Sequence, residues 1–179
     1  MYQEILDFWF STEVTALWFK STPEFDRLLS ERYQDVWSQA SRGELDHWSE
    51  TGEGCVALVI VLDQFPLNMF RGQAKSFSSE AQSIEIVRKA IQQGLDVGLR
   101  DEYRSFLYMP FMHSENIDDQ EKSVSLLSAP GLDGHLRFAQ HHRSIVERFG
   151  RFPHRNKILG RESRVEEIEY LNSKEAFTG

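Results

Sequence analysis

GCVALVIVLDQFP, residues 54–66, can be read as strand or as helix, and the choice sets the class of the whole chain. Cys55 to Leu62 is the longest uninterrupted apolar run, and Val56, Val59, Ile60 and Val61 would suit a buried strand. A strand needs a partner, and no second run of this kind exists in the chain. Gly54 to Phe65 therefore reads as a helix buried on most sides and broken by Pro66. The same run is far short of the ~20 apolar residues that span a bilayer.

Helical signals run outward from it in both directions. Thr22-Pro23 is an N-cap with proline at the first helical position, opening a helix to about Ser41, with Gly43 as its stop. Ser79 with Gln82 predicts a capping box ahead of Glu80 to Gln93, closed by Gly94. Asp101 to His113 and Ile117 to Ser128 read as an antiparallel pair, and Pro110 predicts a kink close to His113. Asp133 or Gly134 to Phe149 is the clearest amphipathic helix. Ser163 with Glu166 predicts a capping box before a short last helix. The aromatic run Phe8-Trp9-Phe10 and the pair Trp18-Phe19 are expected to cover the core. The expected fold is all-α: antiparallel helical hairpins in a compact bundle, one domain over residues 1–179.

The chain is acidic, with net charge −8 at pH 7, which disfavours non-specific binding of nucleic acid. One cysteine, Cys55, excludes an internal disulfide and fits a reducing cytoplasm; no signal peptide or membrane span is visible. Against that background, His135 to Arg164 holds eight Lys/Arg and two acids, a local net of +6. Its densest part is FGRFPHRNKILGR, residues 149–161. A cationic island of this kind either pairs with carboxylates inside the fold or offers guanidinium forks to an anion from outside.

Asp63 falls on an apolar helical face, four residues after Val59 and seven after Val56, and a buried carboxylate demands a cation or several donors. Arg71 is near it in sequence; Arg151 and Arg155 are distant and favoured. Asp63 is then either a structural ion pair or a functional carboxylate in a pocket. His113 shares a face with Phe106, Met109 and Pro110, and His142 lies among Phe138, Ile145 and Phe149. Each histidine alone would suit a hydrogen-bonded core position; together with His154 beside two arginines they suggest a polar cavity. No G-x-S-x-G elbow, P-loop, G-x-G-x-x-G or H-E-x-x-H spacing is present, so no cofactor and no metal is assigned.

ILDFWF (5–10), LDQFP with Asn68 and FRG (62–72), YMP with HSE (108–115), and His142 with RFGRFPHRN and LGR (148–161) resemble a widespread bacterial family of unknown function. The resemblance covers nearly the whole chain and implies an all-helical, tetratricopeptide-like fold; it implies no chemistry. Leu67 stands where the family prefers arginine before Asn68, which removes a cation beside Asp63.

The residues expected to converge are Asp63, Arg71, His113, Glu115, His142, Arg151, His154, Arg155 and Asn156. Arg151, Arg155, His154, Arg71 and Asn156 would bind a small phosphate or carboxylate. If hydrolytic chemistry follows, His113 or His142 is the general base, with Asp63 or Glu115 as its orienter. The rival reading is a tetratricopeptide-like interaction module for a protein or peptide, in which the same charges are internal struts. The two differ in one observable: the first leaves arginine donors open to a pocket, the second engages them within the fold.

Overall fold

A computed structural model describes residues 1–177 of the chain. In chain order the helices are α1 (Tyr2–Trp9), α2 (Thr12–Thr15), α3 (Pro23–Ser41), α4 (Gly52–Val59) and α5 (Phe65–Met69). They are followed by α6 (Glu80–Gln92), α7 (Asp101–His113), α8 (Ile117–Leu127), α9 (Leu136–Phe149) and α10 (Val165–Leu171). Helical residues make up 69%, and no strand occurs among the described residues, so the 54–66 segment is helix.

Glycine is required at the start of α4. Thr51 Oγ1 caps it by accepting from Gly54 N–H at 3.1 Å, and a Cβ on Gly54 would collide with the Trp48 carbonyl. On Gly52 it would collide with the carbonyl of Leu95. The chain therefore crosses the helix at backbone distance on two sides. Every residue from Gly54 to Pro66 is buried, because α4 packs against α1, α6, α7 and the 3-10 turn Asp46–Glu50.

Pro66 does not break this helix. The rod widens into a π-turn over Ile60–Gln64, with Phe65 N–H donating to Ile60 O five residues back, and continues as α5. Proline offers no N–H to Leu62 O, but that carbonyl is satisfied from elsewhere: Ser79 Oγ donates to it at 2.5 Å. The same hydroxyl accepts from Trp37 Nε1 at 3.0 Å. Ser79 therefore makes no capping bond to α6, and Gln82 Nε2 donates to Ala40 O at 2.8 Å, so the expected capping box dissolves into tertiary contacts. The box at Ser163 and Glu166 is displaced by one residue: Glu167, not Glu166, accepts from the Arg164 N–H at 2.7 Å.

Other signals hold. Thr22 Oγ1 accepts from Phe25 N–H at 3.2 Å, and α3 runs to Ser41 with Gly43 at φ +78° just beyond. Helices α6 to α9 pack as consecutive neighbours, α7 on α8 and α8 on α9, joined by short turns. Phe8, Trp9 and Trp18 join the aromatic core, whereas Phe19 is 68% exposed and covers nothing there. A second, smaller apolar cluster of Ile145, Val146, Phe149, Phe152 and Tyr170 joins α9, the following loop and α10. None of the described helices is long and apolar enough to cross a membrane.

Candidate functional site

Asp63 sits in the π-turn with 4% of its surface exposed. Its carboxylate faces the end of α7, where His113 Nδ1 lies 3.0 Å from Oδ1 and 2.9 Å from Oδ2, and it accepts from Gln64 Nε2 at 2.6 Å. The partner is thus a histidine and not Arg151, Arg155 or Arg71. Arg71 turns away to Asp26 and Asn68 on the surface side. The His113 side chain is 19% exposed, and its Nε2 makes no hydrogen bond among the described residues. Burial works against the imidazolium, but the charge and hydrogen bond of Asp63 prevail, and the net shift of the His113 pKa is upward.

Arg155 is one step removed. Its Nη1 donates to Glu80 at 2.8 Å and its Nη2 to the His113 carbonyl at 2.8 Å, so it braces the residue that carries the imidazole. Its guanidinium lies between the rings of Phe77 and Phe152, 4.4 and 4.8 Å from their centroids. At 5% exposure it is closed to an outside anion, and its Nε is buried without a partner. Burial raises the Glu80 pKa against the pull of Arg155.

Arg151 and Arg161 are likewise matched from within, whereas Arg137, Arg148 and Lys157 make no ion pair among the described residues. Arg151 grips Glu167 through Nε and Nη2 at 2.7 and 2.8 Å and reaches the Glu162 carbonyl. Glu115 is held by Arg161 in a two-point pair at 2.6 and 2.8 Å and accepts from the Phe152 N–H, so it orients no histidine. Asn156, fully buried, accepts from Arg161 Nε and donates to Ser163 and Glu167. Of the residues expected to bind an anion, Arg151, Arg155 and Asn156 are therefore tied to other parts of the chain, and Arg71 is elsewhere.

His142 and His154 do come near the pair. The His113 and His142 ring centroids are 6.5 Å apart, and His142 Nδ1–H donates to Phe138 O at 2.8 Å, one helical turn back. Burial pushes the His142 pKa down to about 3 and that of His154 to about 4, with His113 and Arg155 respectively adding repulsion, so both rings are neutral. No three His, Cys, Asp or Glu side chains among the described residues are gathered as a metal site. Hollows of about 390 Å³ (Glu53, Leu99, Arg100, Tyr103) and about 250 Å³ (His141, Arg148, Phe149, Tyr170, Glu175) are lined by neither Asp63 nor His113.

Glu80, Glu167 and Phe177 are the participants that sequence reasoning misses. Glu80 hides in a helix first turn, where an acid is expected on dipole grounds alone. Glu167 was one position from the capping signal. Phe177 carries no motif, yet its ring packs on His142 and His154 at 4.4 and 4.9 Å.

Comparison with known proteins agrees with this architecture and supplies no chemistry. Residues 5–175 match the family described as "Bacterial protein of unknown function (DUF924)". The solved structure of a protein of unknown function, ATU0120 from Agrobacterium tumefaciens, is 39% identical with a TM-score of 0.88, over 96% of each chain. No curated protein matches. From the long match, and from the all-helical fold it shares with that structure, the chain belongs to this bacterial family of unknown function.

Proposed function

We propose that Asp63 and His113 form an acid–base site for a small anionic molecule, a phosphate or carboxylate, with hydrolysis as the reaction class it suits. One observation carries the reading: a 4%-exposed carboxylate holds Nδ1 of an imidazole that is itself partly open. A buried carboxylate in that position fixes the tautomer and stabilises the imidazolium, which directs Nε2 outward as the proton donor or acceptor. Anion recognition moves with it, from the arginines to His113 Nε2–H, where the upward shift caused by Asp63 favours the protonated ring. The test follows the imidazole signals by NMR between pH 5 and 8. Inorganic phosphate or acetate shifts His113 saturably, and Asp63→Asn lowers its titration midpoint and weakens the response. A His113 signal indifferent to both anions across that range ends this reading.

The internal pairing of Arg151, Arg155 and Arg161 favours a second reading, the tetratricopeptide-like interaction module with these charges as struts. There Asp63→Asn lowers the melting temperature, His113 ignores small anions, and a selected peptide binds a helix face away from residues 63 and 113.

A further inference from the structure

After α10 the chain turns at Ser173 and brings Phe177 back over the histidines. Its ring meets His142 and His154 at steep angles, 62° and 85°, and Phe152 lies beneath both, 5.5 Å from His142 and 5.7 Å from His154. These three rings form an aromatic-walled recess, and Phe177 is its occupant.

The walls stand without the occupant. Phe152 is 1% exposed, its N–H is held by Glu115, and His142 is fixed by its bond to Phe138 O. The occupant is held lightly: Phe177 is half-buried, its N–H donates to Tyr170 Oη at 2.9 Å, and residues 172–175 before it are exposed. Two uncharged imidazoles accept an aryl edge or face without losing ionic hydration. His154 Nδ1 is buried with no partner among the described residues, which a polar substituent on a guest would satisfy.

We propose that this recess is an aryl-binding subsite that the chain covers with its own Phe177. It rests on the acid–base reading for the other half of the ligand. A ring on His142 lies close to His113, whose ring centroid is 6.5 Å from that of His142, so an acidic group on that ring is within reach of the His113 imidazole. The ligand class is then a small aromatic acid, and Phe177 is a self-ligand it must displace. Displacement lowers the apparent affinity by the fraction of time the recess is free.

The experiment titrates the full chain with benzoate, benzyl alcohol and acetate, reading the imidazole signals and the dissociation constants. Variants are Phe177→Ala, Phe177→Leu and His113→Gln. Phe177→Ala tightens benzoate and benzyl alcohol by about tenfold or more, leaves acetate unchanged, and Phe177→Leu falls between. Phe177→Leu retains bulk and gives the same ordering if the alanine variant is poorly folded. Equal affinities for the aryl probes in all Phe177 variants, or a gain for acetate as large as for benzoate, overturn the subsite. That failure is separable from failure at His113. An acetate response lost in His113→Gln keeps the acid–base reading when the subsite falls. An aryl gain with no His113 response to either acid keeps the subsite and ends the acid–base reading.

Discussion

Helix α4 runs through the interior, whereas the segment from Gly150 to Glu167 dips into it only at Phe152, Pro153, Arg155, Asn156 and Glu167, and opposite forces hold the two in place. Around α4 the contacts are apolar on every side, from Leu6 and Trp9 of α1 to Phe106 and Leu107 of α7. Around 150–167 only Phe152 joins a small apolar cluster, and ion pairs supply the main remaining ties: Arg151 on Glu167, Arg155 on Glu80, Arg161 on Glu115. Apolar burial is non-directional, scales with area, and is indifferent to pH. Ion pairs out of water are demanding in geometry and costly when half of one is removed. Arg151, Arg155 and Arg161 are thus a set of inward clamps in a region with too little apolar surface to close otherwise.

The largest effect should come from stranding a cation. Glu167 is fully buried and receives Arg151, Asn156 and the Arg164 N–H, so Glu167→Ala is expected to cost about 3–5 kcal/mol in denaturant unfolding. An unchanged midpoint would show that segment 150–167 contributes little to global stability.

Leu58→Ala at the centre of α4, where exposure is 1%, is expected to cost about 3 kcal/mol through lost burial and a cavity. The contrast lies in its pH behaviour: the loss should be the same at pH 5 and pH 7. A loss that halves between those values would mean the two regions unfold as one electrostatic unit.

Asp63→Asn should cost less, about 1–3 kcal/mol, because the partner left behind is a histidine that can shed its proton, which an arginine cannot. His113 should titrate at lower pH in that variant. A cost as large as that of Glu167→Ala would imply that Asp63 compensates Arg155 directly.

The smallest effect, and the most diagnostic in sign, is the acid limb of wild-type stability. His142 and His154 have depressed folded pKa values, so the unfolded chain binds protons below about pH 6.5 that the folded chain refuses, and stability falls with pH. The depressed Glu115 and Glu167 add to the fall below about pH 4.5. His113, with its raised pKa, stabilises below about 6.5 and loses that contribution as pH rises through its folded value; the raised Glu80 also opposes the acid fall. Burial lowers the His135 pKa as well, so three histidines outweigh one, and melting temperatures should drop from pH 6.5 to 5, more steeply in Asp63→Asn. A rise over that interval would contradict the neutral state of His142 and His154.

The sequence makes legible what depends on local pattern. Residues 54–65 are readable as helix because a lone strand has nowhere to pair, and Asp63 stands out because a carboxylate on an apolar face needs a partner. The π-turn is illegible for the complementary reason: residues buried all round leave no polar face whose phase could betray an extra residue. Partner choice is hidden too. Three arginines and the carboxylates of Glu80, Glu115 and Glu167 allow many pairings, and only the folded geometry selects among them. Ser79 shows the same limit, since its hydroxyl has a local use as a cap and a distant one on Leu62 O, and the distant one prevails.

The π-turn also bears on which changes in chain length the protein can tolerate. A helix advances about 100° per residue, and the wider π-turn already absorbs one extra residue, so removing one between Ile60 and Gln64 would restore ordinary α winding with α5 still in phase, whereas adding one would swing all that follows by about that angle. Composition would be almost untouched, and α5 would still be apolar. After such an insertion Asp63 could no longer face His113 while Phe65 faces Tyr33 and Trp9, because one of the two registers must be given up. Point substitutions along this rod are matters of volume, whereas a single-codon insertion would be a matter of phase.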